Sequence, residues 1–363
     1  MGNIISRFSC GIHYGVDPTS ASDIYLSEDT IQKLTDSGYP LSVSGMSSYL
    51  KEQETVYSPV LLTWDMTSRC NFSCPFCYIK NNNVSKEISF SDVRNILDEL
   101  ISEGLFEAYL SGGECLLLED FIDIYSYLKE KGVFITIFTN GSLIDERHFQ
   151  CWKKLPPSSI EITLYDDDFS SKPFENVLKL KKMGLHVQPK FMLTSSTVHY
   201  FEAVKKWASE HGFDLMVDSE LFDGVDDLHG NVASEFSLSA ELKKLFNPER
   251  YENLITPPAV RIGLPCRAKK GSVHLSADLT ISLCHKMKHR WDLSMVDVHT
   301  AIRELRQLIS CYENAKLHGC EGCIYSKMCD MCYASAIIEN GELHVPEGHC
   351  ERIRNQYSVY CSK

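Results

Sequence analysis

The sequence lacks two features that would attach the protein to a membrane or to a nucleic acid. The 363 residues contain no apolar run of about 18 residues, so no transmembrane helix is predicted. Basic residues are outnumbered, with 36 Lys and Arg against 49 Asp and Glu and a formal net charge of −13. Binding to a nucleic-acid backbone needs a surplus of positive charge. We therefore expect a soluble globular protein with neither kind of partner.

The sequence also lacks the apolar segment of a secretory signal, because it opens with MGNIISRFSC. Its 15 cysteines are too sparse for a disulfide scaffold and odd in number, yet more frequent than in ordinary proteins. Clustered thiols in a reducing compartment bind metals or carry out redox chemistry. The expected location is the cytoplasm.

A regular alternation of strands and helices begins near residue 60. Buried strands are predicted at Val60–Thr67, Glu107–Leu110, Phe134–Phe138, Ser159–Leu164, Val187–Leu193 and Leu215–Glu220. Amphipathic helices are predicted at Phe90–Glu103, Phe121–Lys131, Glu146–Leu155, Phe174–Met183 and Phe201–Glu210, with Ser89 and Asp92 as a capping box for the first.

Strands that alternate with helices indicate right-handed βαβ units and a parallel sheet. Six units are fewer than the eight of a full barrel, so the expected fold is α/β, a partial (β/α)6 barrel. Its reactive end should be the carboxyl edge of the strands, where the βα loops meet.

Three cysteines lie directly after the first predicted strand. Cys70, Cys74 and Cys77 have the spacing C-x3-C-x2-C. Three thiolates can hold three irons of a [4Fe–4S] cluster and leave the fourth iron open. Structural zinc usually takes four ligands in C-x2-C pairs, so the triplet fits zinc poorly. The simpler alternative is that the three cysteines are buried core residues. The Asn and Pro between them argue against this, because they indicate an exposed loop.

This triplet resembles the motif of the radical S-adenosylmethionine (radical SAM) enzymes, with Phe76 at its aromatic position. The resemblance extends to the loops after the next strands, where Gly112, Gly113 and Glu114 match a segment that binds the methionine amino group. The family's next residue is usually Pro, but this chain has Cys115, a possible extra thiol near the site. The resemblance implies this set of cofactor-binding residues: Phe76, Tyr78, Gly112, Gly113, Glu114, Asn140 and Thr163.

The resemblance also implies a reaction. S-adenosylmethionine would chelate the open iron and accept one electron, giving methionine and a 5′-deoxyadenosyl radical that abstracts hydrogen from a substrate. The electron would come from a donor such as flavodoxin or ferredoxin. Lys190 on the fifth strand is a candidate for the methionine carboxylate, and Asp218 on the sixth is a candidate general base. Asp166 and Glu220 are further carboxylates near strand ends, and a solvated loop is the simpler reading for Asp166.

A second group of cysteines lies near the carboxyl terminus. A zinc ribbon would explain four of its members, and disulfides are disfavoured by the compartment. The group resembles the SPASM extension of many radical SAM enzymes, which carries two auxiliary Fe–S clusters. The resemblance implies one cluster on Cys266, Cys284 and Cys332, and another on Cys320, Cys323, Cys329 and Cys350.

The first of these clusters would have only three thiolates, because Ser272 stands where some relatives have a fourth Cys. An open iron, a different type of cluster or a ligand other than Cys is therefore expected. His274, His285 and Asp278 lie nearby, but each is expected to be an ordinary loop residue.

Three segments follow from these patterns. Residues 1–59 form an N-terminal segment, with one predicted helix at Ser27–Leu34, that serves as a lid or as a reduced leader-binding module. Residues 60–255 form the barrel, and residues 256–363 form the cysteine-rich domain.

Three classes of function remain open at this point. The favoured one is a maturase that crosslinks, oxidises or epimerises a precursor peptide made by the ribosome. The second is a sulfatase-maturing, formylglycine-forming enzyme or a small-molecule alcohol dehydrogenase. The third is a non-enzymatic Fe–S protein, which the intact Gly112–Glu114 segment argues against.

Overall fold

The computed structural model describes residues 59–74, 77–79, 88–192, 196–218, 271–287 and 289–313, together with Cys323 and Cys350. Residues 218 and 310–313 are described by their backbone alone. The same holds for four N-terminal strands: β1 (Ile4–Ser9), β2 (Ile12–Asp17), β3 (Ser22–Leu26) and β4 (Leu41–Val43). These four strands pair in the order β3-β2-β1-β4, with β4 parallel to β1. The predicted helix Ser27–Leu34 lies outside the described residues.

Alternating strands and helices follow from residue 61 to residue 218. The strands are β5 (Leu61–Asp65), β6 (Glu107–Ser111), β7 (Phe134–Thr139), β8 (Ser159–Leu164), β9 (Val187–Met192) and β10 (Met216–Asp218). The helices are α1 (Phe90–Ser102), α2 (Phe121–Glu130), α3 (Glu146–Lys154), α4 (Lys172–Lys182) and α5 (Phe201–Glu210). Strands β5 to β10 are parallel neighbours in sequence order, which confirms the predicted partial barrel.

The two faces of this sheet differ in chemistry because successive side chains point to opposite sides. One face is apolar and fully buried, and its members are Leu62, Trp64, Ala108, Leu110, Ile135, Ile137, Ile160 and Ile162. Apolar residues of the helices, such as Val93, Leu97 and Leu100 of α1, belong to the same core. Truncating one of the large side chains, such as Trp64, to Ala would cost about 3–5 kcal/mol. The opposite face carries half-buried residues that include Thr63, Tyr109, Phe138, Thr163 and Lys190.

The sheet does not end at β5. Strand β11 (Ser272–Leu275) pairs in parallel with the free edge of β5, with His274 opposite Thr63. Strands β12 (Thr280–Ser282) and β13 (Trp291–Asp292) then continue the sheet in antiparallel fashion. The predicted domain boundary near residue 256 lies outside the described residues, but these strands beyond it extend the barrel sheet.

A last helix, α6 (Val298–Glu313), packs on α1. Its Ala301, Ile302 and Leu305 are buried in the barrel core. The Val298 N–H donates to Glu99 Oε2 at 3.1 Å, and Arg306 pairs with Glu103 at 2.8 Å. Among the described residues, no helix has both the length and the apolar character needed to cross a bilayer.

Candidate functional site

The three cysteines lie on the loop that leaves the carboxyl end of β5, as predicted. Cys70 is exposed, and Cys74 and Cys77 are partly buried. The Phe72 N–H donates to Cys70 Sγ at 3.3 Å, and the Cys77 N–H donates to the Cys74 carbonyl at 3.2 Å. These short-range hydrogen bonds fix the backbone near the thiols. We call residues 66–79 the cysteine loop.

The thiols affect one another electrostatically. Burial raises the pKa of Cys70 and of Cys74, and the negative charge of Cys77 raises both further. The Tyr165 hydroxyl hydrogen-bonds Cys74 and lowers the pKa of that thiol.

These residues fit an iron–sulfur cluster. The donor set is three soft thiolates, and backbone and side-chain donors reach two of the sulfurs, at Cys70 and Cys74. In the part of the chain that the structure describes, no three His, Cys, Asp or Glu side chains converge to hold one metal ion. A cluster of several irons takes its thiolates on separate irons, so its ligands need not converge on one point.

The glycine-rich loop after β6 packs against one flank of the cysteine loop. The Gly113 N–H donates to the Thr67 carbonyl at 2.7 Å, and the Glu114 N–H donates to the Arg69 carbonyl at 2.8 Å. A Cβ atom on Gly112 would lie 2.6 Å from the Thr67 carbonyl oxygen, and one on Gly113 would lie 2.1 Å from that of Arg69. The glycines are required by this loop-to-loop approach, whereas the sequence analysis explained them by approach to a ligand.

Glu114 connects the glycine-rich loop to the loop after β7. Its side chain is 1% exposed and accepts from the Thr139 hydroxyl at 2.7 Å, the Asn140 N–H at 2.8 Å and the Leu116 N–H at 3.2 Å. Burial raises the pKa of Glu114, and these hydrogen bonds partly offset that rise. The structure therefore assigns Glu114 a connecting role that the sequence analysis did not anticipate.

The loop after β7 then returns to the cysteine loop. The Asn140 amide donates to Asn71 Oδ1 at 2.9 Å, and the Asn71 amide donates to the Ser142 hydroxyl at 2.8 Å. Asn71 lies between the first two cysteines, so these bonds hold the middle of the motif. Cys115 contributes nothing to the thiol group, because its buried Sγ donates to the Phe138 carbonyl at 3.4 Å.

The other flank of the cysteine loop meets strand β11. The Tyr78 hydroxyl donates to Asp65 Oδ1 at 2.9 Å, and His274 Nε2 lies 3.4 Å from Asp65 Oδ2. His274 Nδ1 lies 3.1 Å from the Thr63 hydroxyl. Burial, and then the charge of Asp65, raise the pKa of Tyr78 well above its ordinary value, so this phenol stays protonated. The expectation that His274 is a loop residue is wrong, because it is a buried strand residue.

Aromatic contacts extend this flank toward Cys284. The Tyr78 ring lies 5.1 Å from the His285 ring, and His285 lies 5.8 Å from His274, centroid to centroid. Burial lowers the pKa of His285 to about 4, with the charge of His274 as the next cause. Residues adjacent to the third cysteine and to Cys284 therefore touch. Asp278 is an ordinary turn residue, since its Oδ1 accepts from the Thr280 N–H.

Two of the remaining predicted residues lie on the half-buried face of the sheet, four lie elsewhere in the described chain, and the others have no described side chain. Thr163 pairs in register with Lys190, whose Nζ is 5.9 Å from the centre of the Phe138 ring. Asp166 is exposed, and its carboxylate accepts from the Asp168 N–H. Cys284, Cys323 and Cys350 are partly buried. The other predicted residues, for which no side chain is described, are Phe76, Asp218, Glu220, Cys266, Cys320, Cys329 and Cys332.

Sequence reasoning missed four residues of this site. Asn71, Asp65 and Tyr165 lie within or next to predicted motifs, so their position was a usable indication. His274 had no such indication, because its contact with Asp65 depends on how a distant strand pairs.

Comparison with known proteins agrees with this geometry. Residues 64–211 match the model of the Radical SAM superfamily. The chain is 31% identical over 121 residues to the Fe-coproporphyrin III synthase of Methanosarcina barkeri, covering 33% of this chain and 30% of that protein. It is 26% identical over 116 residues to the PqqA peptide cyclase of Granulibacter bethesdensis, covering 31% of each. The chain thus spans about 30% of the length of these curated relatives.

The fold itself is similar to that of a solved structure over nearly the whole chain. SuiB of Streptococcus suis superposes with a TM-score of 0.64 at 16% identity, covering 95% of this chain and 98% of SuiB. SuiB has also been solved with S-adenosylmethionine and with its precursor peptide SuiA. At this identity the likeness concerns the fold alone.

Proposed function

We propose that the chain is a radical SAM enzyme that modifies a peptide, because residues 64–211 match the model of the Radical SAM superfamily. The observation that carries the proposal is the cysteine loop, whose three thiols are held between the loops after β6 and β7 on one flank and β11 on the other. Cys70, Cys74 and Cys77 would hold a [4Fe–4S] cluster, which in its reduced state would supply the electron for cleavage of S-adenosylmethionine into methionine and a hydrogen-abstracting 5′-deoxyadenosyl radical.

The chain's own residues would hold S-adenosylmethionine and orient it. Gly112, Gly113 and Asn140 lie in the loops beside the thiols, and hydrogen bonds of Glu114 connect those two loops. Thr163 and Lys190 would bind S-adenosylmethionine from the half-buried face of the sheet. Phe76 and Tyr78 belong to the same proposal through the family resemblance, and Asp218 through its place on the sixth strand as a candidate general base.

A peptide is the substrate class that the relatives favour. The relative PqqA peptide cyclase is named for a peptide substrate. The fold is similar to that of SuiB, which was solved with a precursor peptide. The modification would be a crosslink such as a thioether, an oxidation or an epimerisation. The similarity to an Fe-coproporphyrin III synthase supports a second candidate, in which the hydrogen comes from a tetrapyrrole. Formylglycine formation and alcohol oxidation remain alternatives from the sequence.

Two auxiliary Fe–S clusters complete the proposal. Cys266, Cys284 and Cys332 would bind the first, and Cys320, Cys323, Cys329 and Cys350 the second, within a domain spanning 256–363. Auxiliary clusters suit an oxidation that must remove a second electron from the substrate after hydrogen abstraction. A flavodoxin or ferredoxin would supply the separate electron that cleavage of S-adenosylmethionine consumes. Residues 1–59 would act as a lid or as a reduced leader-binding module for the peptide, and residues 60–255 as the barrel.

The test is anaerobic reconstitution with iron and sulfide, followed by reduction and addition of S-adenosylmethionine. We expect about 10–12 irons per chain, close to the content of three cubane clusters, and steady formation of 5′-deoxyadenosine. Replacing Cys70, Cys74 and Cys77 together with Ala should abolish that product while the C-terminal irons stay bound. Replacing Cys151, a partly buried cysteine outside both groups, is the matched control. Product formation that survives the triple replacement would refute the assignment.

A further inference from the structure

A buried polar network joins the cysteine loop to the C-terminal strand. It consists of Asp65, Tyr78, His274 and Thr63, and we call it the Asp65 network. Asp65 is 7% exposed and His274 is 2% exposed, so neither side chain relies on water for its hydrogen bonds. Thr63 and His274 lie opposite each other in the β5–β11 ladder. The network therefore depends on a strand contributed from 211 residues away.

The Thr63 hydroxyl joins His274 to the network. It lies within reach of both the Val273 carbonyl, at 3.2 Å, and His274 Nδ1, at 3.1 Å. If Thr63 donates to the carbonyl, its oxygen accepts from Nδ1–H, and if Thr63 donates to Nδ1, the ring proton is on Nε2. In both arrangements the bond to Thr63 holds the imidazole with Nε2 toward Asp65, 3.4 Å from Oδ2.

The two oxygens of Asp65 therefore face different partners: the Tyr78 hydroxyl donates to Oδ1, and His274 Nε2 lies beside Oδ2. A buried carboxylate without partners costs several kcal/mol, so Asp65 holds the Tyr78 hydroxyl strongly in place. Tyr78 directly follows Cys77, and its ring also rests against His285. The position of the phenol thus limits where the third thiol can lie.

We propose that Asp65 is a positioning residue for the cysteine loop: supported by His274, it fixes Tyr78 and thereby sets the place of the Cys77 thiol. The proposal rests on the proposed function, since it concerns the cluster that Cys77 would hold. It makes strand β11 part of the support of the cysteine loop, although no residue of β11 belongs to the cysteine motif.

The test compares variants in the reconstituted full-length protein. Asp65→Ala removes the acceptor, Tyr78→Phe removes one oxygen atom, and His274→Leu leaves Asp65 with one partner. Asp65→Asn is the conservative variant: its amide oxygen can accept from Tyr78, and its amide nitrogen can donate to His274 in the opposite tautomer, with Nδ1–H donating to Thr63. Tyr127→Phe is the matched control, because Tyr127 donates to Asp98 in another tyrosine–aspartate bond, on the outer helices.

Two readouts separate positioning from plain stability. They are the electron paramagnetic resonance (EPR) spectrum of the reduced cluster, and the rate of 5′-deoxyadenosine formation per cluster at saturating S-adenosylmethionine. We expect Asp65→Ala, Tyr78→Phe and His274→Leu to alter the line shape and to lower the rate about tenfold, since small misplacements cost that much or more. Asp65→Asn should recover most of the rate, and Tyr127→Phe should change neither readout.

Two results would overturn the proposal. In one, Tyr78→Phe and Asp65→Ala behave like Tyr127→Phe in both readouts and lower only the melting temperature, so the network serves stability alone. In the other, Asp65→Asn is as impaired as Asp65→Ala, so that charge rather than position matters. If Asp65→Ala does not fold, Tyr78→Phe carries the test. A wild-type protein that makes no 5′-deoxyadenosine contradicts the proposed function, and the EPR comparison still decides the positioning role.

Discussion

The two flanks of the cysteine loop are held by different segments and by different chemistry. On one flank, backbone N–H groups, Glu114 and two asparagines connect loops that follow successive strands, and Asn140 is 69 residues from its partner Asn71. On the other flank, one buried carboxylate is held between a tyrosine of the loop and a histidine of β11. The first flank is built by the barrel alone, whereas the second is completed only when the chain returns to the free edge of β5. The comparison shows that the site depends on both regions of the protein.

The largest expected effect tests the first flank. Replacing Gly113 with Ala would place Cβ 2.1 Å from the Arg69 carbonyl oxygen, and backbone lies on both sides of that contact. The cysteine loop must then move, so we expect 5′-deoxyadenosine formation to fall by at least about 100-fold. Iron content and product rate are the measurements.

Gly132→Ala is the control for this change. Gly132 has a φ of +79° and nothing within 4 Å of an added Cβ, so the variant should lose about 1 kcal/mol of stability and keep its iron and its rate. A Gly113→Ala protein with normal iron and rate would show that the close packing of the two loops is not needed.

An intermediate effect concerns Cys74, and it would separate the support of this cysteine from that of the two flanks. Tyr165→Phe removes the hydroxyl that hydrogen-bonds Cys74. A donor to a cluster sulfur stabilises the more negative, reduced state, so its loss should lower the reduction potential. We expect a shift of tens of millivolts, where about 59 mV corresponds to a tenfold change for one electron.

Potentiometric titration followed by EPR measures this shift. Tyr125→Phe is the matched variant, because it removes a buried hydroxyl that donates to the Leu155 carbonyl at 2.6 Å, away from the cysteine loop. It should lose stability and leave the potential unchanged. Equal potentials in wild type and Tyr165→Phe would contradict the assigned role of this hydrogen bond.

The smallest effect concerns the docking of α6 on the barrel. A hydrogen bond with Glu103, at 2.5 Å, raises the pKa of His299 above 6.5. Because the folded pKa is raised, the stabilisation is complete below pH 6.5 and is lost as the pH rises through the folded value. The His299 side chain is 53% exposed, so we expect only a few tenths of a kcal/mol.

Urea denaturation at pH 5.5 and pH 8.5 measures this contribution. The difference in unfolding free energy between wild type and His299→Gln should be larger at the lower pH. His299→Gln is compared with His199→Gln, which replaces an exposed histidine outside this contact, before α5. A trend of the opposite sign would mean that the imidazole docks uncharged.

The elements that local patterns determine were predicted well. The six barrel strands, the five helices and the Ser89–Asp92 capping box are confirmed, with bounds that differ by at most two residues. Periodicity of apolar residues reports burial against neighbouring segments, and in a parallel α/β fold those neighbours follow in sequence. The loops after β5, β6 and β7 were therefore placed together correctly.

The rest depends on pairing between distant segments. Strands β1 to β4 and β11 to β13 are short and lack a clear alternation, so their pairing partners could not be inferred. His274 belongs to a strand of four residues that are all buried, and Asp65 looked like an ordinary strand end. Glu114 stays a predicted cofactor-binding residue, and its bonds to Thr139 and Asn140 follow from the approach of two loops, which spacing does not determine.

The most direct test of the account is an EPR titration of the reduced, reconstituted protein with S-adenosylmethionine. Three thiolates on the cysteine loop leave one iron for the cofactor, so the spectrum should change and saturate near one equivalent per chain. The change should be absent in Cys74→Ala and present in Cys151→Ala. A wild-type spectrum that S-adenosylmethionine does not alter, or a change that persists in Cys74→Ala, would contradict the account.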